Sequence, residues 1–147
     1  IASNVPCDIA IEHIGSTAVK GALGKGIIDI LIMPSHLTDV QRVRSALGSI
    51  GFSHVPEKGS EERIFMAYPL ENTSYGDLHV HICPPASDEA RDLVRFRDAL
   101  RKDKALVTEY NNLKKDIAER VLDRDGYTQQ KASFIRRVID ENQSQPL

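Results

Sequence analysis

The chain has 147 residues, 41% hydrophobic and 27% charged, the balance of one globular domain large enough to bury a core, and nothing in it argues for a second. Its formal net charge of -2 argues against general nucleic-acid binding, and no apolar run approaches the roughly 20 residues of a membrane helix. Cys7 and Cys83 are too few for a disulfide framework and lack metal-ligand spacing, so they read as ordinary thiols in a reducing, cytoplasmic setting.

The sequence opens at Ile1, shows no signal-peptide pattern and enters a strand at once, so an N-terminal piece is expected to precede it. "DIAIEHI" (8–14) and "IIDILIM" (27–33) read as the first two strands. Between them "IGSTAVKG" supplies Gly15 for close backbone approach and Ser16 or Thr17 as hydroxyl ligands or caps. Such a loop suits phosphate oxygens, although Gly-Ser-Thr after a strand is more often only a capped turn. A period of two places Ile28, Ile30 and Ile32 on one face of the second strand and Ile27, Asp29 and Leu31 on the other. A lone carboxylate buried there costs several kcal/mol or takes up a proton, so Asp29 requires a cation, a metal or N–H donors.

One helix follows, with Leu37, Val40, Val43, Leu47 and Ile50 at helical spacing, Thr38 or Ser35 as N-cap and Gly51 as its stop. "FSHV" (52–55) and "RIFMAYP" (63–69) resume the strand pattern. "DLHVHIC" (77–83) ends it, with Asp77, His79 and His81 on one face and Leu78, Val80 and Ile82 on the other. Imidazoles beside a carboxylate suit a transition metal or Zn²⁺ better than Mg²⁺. Protonated, they bind phosphate directly or act as acid or base, and a half-exposed strand facing solvent needs none of these roles.

After Pro85 the period becomes 3.6. Ser87 or Asp88 caps a helix through Leu93, Phe96 and Leu100, and Val107, Tyr110, Leu113, Ile117 and Val121 continue the amphipathic pattern. A last helix is predicted from Thr128 to Asn142, with a frayed tail at 143–147. Between Arg91 and Arg137 lie 13 basic and 8 acidic residues, against 6 and 13 elsewhere, so this half presents a basic wall or simply solvated helix faces. Tyr110 with Lys114, and Tyr127 with Lys131, share helix faces at i,i+4. Strands first and helices second predict an α+β domain with helices on one face of a mixed sheet.

The Gly-Ser loop followed by Asp29 resembles the signature of the nucleotidyltransferase superfamily, except that the second acid expected two positions on is Leu31. The whole ordered set, "IEHIGSTAVKG", "IIDILI", "DLHVH", "FRDALR", "YNNLK" and "YTQQKASFI", resembles the GrpB family of that fold from about Ile9 to Ile139. It departs at Lys20 and at Lys25, where prolines are common, and the family's first strand and helix fall before Ile1.

The resemblance implies a single nucleotidyltransferase-like domain over 1–147 with a helical C-terminal half. Its cleft would take a nucleotide or phosphorylated metabolite through Gly15, Ser16, Thr17, Lys25, Arg63, Arg97, Tyr110, Lys114 and Lys131. Asp29, His79 and His81 are the candidates for catalysis and for a divalent metal, Mg²⁺ or a transition metal. No nucleic-acid or membrane partner is implied. Two functions remain open, a binding module and a metal-dependent nucleotidyl or phosphoryl transferase. The fusion of some members to dephospho-coenzyme A kinase points the second toward coenzyme A metabolism.

Overall fold

The computed structural model describes residues 1–69, 77–119 and 124–143. Five strands appear where the alternating pattern runs: β1 (Ile9–Ile14), β2 (Ile28–Pro34), β3 (Ser53–His54), β4 (Ile64–Tyr68) and β5 (Leu78–Ile82). They form one mixed sheet in the order β1-β2-β5-β4-β3, with β2 and β5 parallel and every other pair antiparallel. Among the described residues four α-helices accompany the sheet: α1 (Val40–Ser49), α2 (Asp88–Lys102), α3 (Lys104–Glu119) and α4 (Arg124–Glu141).

The period of two sorts the central strands into two unlike faces. Ile32, Val80, Ile82 and Met66 close one core with Val43 and Leu47 of α1, and with Val5 and Phe52. On the opposite face Ile14, Leu31 and Cys83 pack against Ala90, Leu93 and Val94 of α2. Helices therefore cover both faces, where the strand-then-helix order predicted one. The cause is that α1 sits between β2 and β3 in the chain and must return across the sheet. A third cluster joins the layers: Val19 of the Gly-Ser loop inserts among Ala99, Leu100, Val107, Tyr110, Phe134 and Val138 of α2, α3 and α4.

The helix boundaries follow from their caps. Ser87 accepts the Ala90 N–H and starts α2. At α1 neither Thr38 nor Ser35 caps; a single 3₁₀ turn (Leu37–Asp39) leads in, and Asp39 accepts instead from Arg42 at 2.7 Å. Asp103 accepts the N–H groups of Ala105 and Leu106 and so divides the continuous amphipathic pattern into α2 and α3. The last helix starts at Arg124, four residues before its predicted start. Val121, the Tyr127 side chain and residues 144–147 lie outside what is described. Both cysteines are free, and burial pushes the Cys83 thiol up to about 11. No described helix is long and apolar enough to cross a membrane.

Leu47, in the last turns of α1, is fully buried, and Leu37, in the 3₁₀ turn that leads into the helix, is 70% exposed. Chemical denaturation should show Leu47→Ala losing about 2–5 kcal/mol and Leu37→Ala staying within about 0.5 kcal/mol of wild type.

Candidate functional site

The parallel pairing of β2 and β5 sets Asp29 beside His79 and Leu31 beside His81. All four side chains share the sheet face toward α2, but only Leu31 reaches the apolar core there, at 0% exposure. Asp29 is half-buried and its Oδ1 is the meeting point, 3.2 Å from His81 Nε2 and 3.3 Å from His79 Nδ1. Phe65 stands edge-on to both imidazoles, with centroids 4.8 and 5.1 Å away.

Behind His81, Arg63 Nη1 lies 3.3 Å from His81 Nδ1. A guanidinium only donates, so Nδ1 must accept and the ring proton sits on Nε2, directed at Asp29. Arg63 also donates to the Lys58 carbonyl, and Glu89 lies 3.2 Å from its Nε without hydrogen-bond alignment.

The second carboxylate oxygen, Oδ2, faces the Gly-Ser loop. Gly15 has φ 73° and ψ -174°, a conformation essentially reserved for glycine, and a Cβ there would overlap Oδ2. Ser16 packs in the same way on Gly24, whose Cβ position its hydroxyl occupies. The helices then hold the loop from outside. Asn111 accepts the Leu23 N–H and donates to the Gly21 carbonyl, both at 2.8 Å. Arg101 donates to Ala18 O, and Lys114 to Leu23 O.

These elements enclose a cleft of about 670 Å³. Gly15, Ser16, Lys25, Asp29, His79, Tyr110, Lys114 and Lys131 all line it, joined by Leu23, Gly24, Ile27, Lys115 and Ala118, which sequence reasoning did not single out. Lys114 Nζ lies 4.2 Å from the Tyr110 ring centroid, so the i,i+4 pair does share a face. Burial, reinforced by the charge of Lys131, pushes the Lys114 ammonium down to about 8.

The remaining candidates stand elsewhere. Arg97 is buried and donates to Glu12 at 2.6 Å, Asp98 at 2.8 Å and the His13 carbonyl, a structural tie between α2 and β1. Thr17 meets His13 and the Ile27 carbonyl. Arg63 and His81 support Asp29 from behind. Asp77 is exposed, with its backbone N–H on Tyr68 O. Asn111 was missed, although it lies next to Tyr110 in "YNNLK".

The donor set does not fit a metal centre. His81 Nε2 carries a proton that it donates to Asp29, and the position for a second carboxylate is the buried Leu31. Among the described residues no group of three or more His, Cys, Asp or Glu is arranged to hold an ion.

Comparison with known proteins gives a consistent result. The family model described as GrpB protein matches residues 1–141. A UPF0157 protein of Pseudomonas aeruginosa is 35% identical over 133 residues, which cover 89% of this chain and 54% of that one. A UPF0157 protein of Vibrio cholerae is 34% identical over 96% of this chain and 71% of its own length. The chain thus spans about half of the Pseudomonas relative and about seven-tenths of the Vibrio one. The crystal structure of conserved protein GrpB from Enterococcus faecalis superposes with a TM-score of 0.78 at 28% identity, covering 95% of this chain and 84% of that one. The Cid1 poly(U) polymerase bound to MgATP superposes at 0.55 with 16% identity, over 81% and 38% of the two chains, a likeness of fold alone.

The packing at Gly15 is testable against Gly26, which has a similar φ of 76° and nothing within 4 Å of an added Cβ. Thermal or chemical unfolding should show Gly15→Ala as the costlier substitution by at least about 1 kcal/mol, since it adds steric overlap to a backbone strain of about 1–3 kcal/mol. Equal costs would mean that Asp29 does not press on the loop.

Proposed function

The chain belongs to the GrpB family and has a nucleotidyltransferase-like fold, and from that premise we propose that its cleft binds the phosphate groups of a nucleotide or another phosphorylated small molecule. The observation that carries this reading is the convergence of Lys114 and Lys131, both half-buried, on one wall of the cleft. Two like charges brought together and partly dehydrated raise the free energy of the empty site, which is why Lys114 gives up its proton so readily. A bound polyanion reverses that cost.

The other lining groups suit the same ligand. Lys25 and Lys115 add positive potential at the rim, and the Ser16 hydroxyl offers a hydrogen bond from the loop. The volume is that of a small-molecule site. Two-metal transfer is the weaker reading, because Leu31 lies in the apolar core where the second carboxylate would stand. On this reading Asp29 and His79 shape the cleft floor and supply a proton donor and acceptor surface beside the bound phosphate.

Calorimetric titration of inorganic triphosphate and ATP provides the test. Lys114→Ala and Lys131→Ala should each weaken binding about tenfold or more, the worth of one charge-assisted contact. The anion binds the ammonium form of Lys114. Affinity is therefore full below about pH 8 and falls as pH rises through that value, by up to about tenfold for each further unit. The Lys114→Ala variant should lose this pH step. Unchanged affinity in both variants would overturn the proposal.

A further inference from the structure

We propose that Lys114 is a nucleophilic amine that condenses with the carbonyl of a phosphate-bearing aldehyde held in the cleft, forming an imine. The phosphate part of this inference rests on the reading of the cleft given above; the amine chemistry rests on the surroundings of Nζ.

A lysine becomes a nucleophile when its amine is positioned and its neutral form is favoured. Position comes first. Nζ lies over the Tyr110 ring and donates to the Leu23 carbonyl, so a side chain that ordinarily wanders is fixed at the cleft wall. Tyr110 cannot give way, because it is buried and stacked on Phe134 at 5.3 Å with an interplanar angle of 17°.

The charges around it act in the second sense. Lys131 faces it from α4, Lys115 follows it on α3, Lys25 approaches from the loop, and Asp29 with His79 lies across the cleft. Half-burial is the larger influence on Nζ, the charge of Lys131 adds to it, and the amine is brought down to about 8. Among the described residues that line the cleft Asp29 is the one carboxylate, and its Oδ1 already accepts from His81. Phosphate held by the neighbouring lysines partly restores the ammonium, but it equally stabilises the protonated imine, which carries the same charge.

The condensation balances without another reactant. The neutral Nζ attacks the carbonyl carbon, a C–N bond forms, and the π pair moves to the oxygen, which receives one nitrogen proton. The resulting hydroxyl leaves as water with the second proton, and the C=N bond remains. No oxidation occurs, and reversal requires only water.

Pyridoxal 5′-phosphate is the probe, with pyridoxal as its phosphate-free control, each followed by borohydride reduction and peptide mass spectrometry. With limiting reagent near pH 8, Lys114 should be labelled about tenfold faster than the exposed Lys20, and faster by the phosphorylated aldehyde than by pyridoxal. Lys131→Ala should slow Lys114 labelling by pyridoxal as well, since it removes the neighbouring charge. Lys114→Arg should abolish the label at this position.

Labelling of Lys114 no faster than Lys20, with triphosphate still bound, would overturn the nucleophile and leave the phosphate reading standing. Equal labelling by both aldehydes, with no triphosphate bound, would overturn the phosphate-directed reaction together with the reading beneath it.

Discussion

A carboxylate on the central strand of a sheet must be given partners, and the arrangement of Asp29 accounts for most of the surrounding design. Its Oδ1 takes the His81 N–H and lies against His79, which requires β5 to pair in parallel with β2 at this register. Its Oδ2 leaves no room for a side chain on the loop, which requires glycine at position 15. Arg63 in turn fixes which nitrogen of His81 carries the proton. Removing Arg63 or Asp29 would deprive the buried His81 ring of one of its polar partners, a cost of about 1–3 kcal/mol.

The wall opposite Asp29 follows a different logic. Val19 anchors the loop in the helical core, and Arg101, Asn111 and Lys114 bind its backbone carbonyls and N–H groups. The loop is therefore held between the sheet and α3, and Lys114, which holds it, also faces the cleft. One residue thus serves both packing and charge, and its half-burial beside Lys131 makes Lys114 ready to lose a proton.

Much of this was legible in the residues themselves. The strands were readable within about a residue at each end because alternation is a local signal, and it assigned Asp29, Leu31, His79 and His81 to the correct face. The Tyr110 and Lys114 pair was readable from helical spacing. What escaped were facts of tertiary contact. Arg97 sits in a motif that looks ready for an anion, yet Glu12, 85 residues away, occupies it. The meeting of Lys114 with Lys131 depends on how α3 and α4 pack, and the Asp103 cap was hidden because the apolar period runs through it. Helices on both faces required knowing where α1 returns across the sheet.

The central claim is that Asp29 and Arg63 hold His81 between them, with its proton on Nε2. Long-range ¹H–¹⁵N correlation of the imidazole rings reads that tautomer directly. The account predicts that neutral His81 is the Nε2–H form in the wild type and that Arg63→Ala releases it to a mixture of tautomers. A wild-type His81 carrying its proton on Nδ1 would contradict it, since Arg63 could then not stand where it does and Asp29 would lose its principal donor.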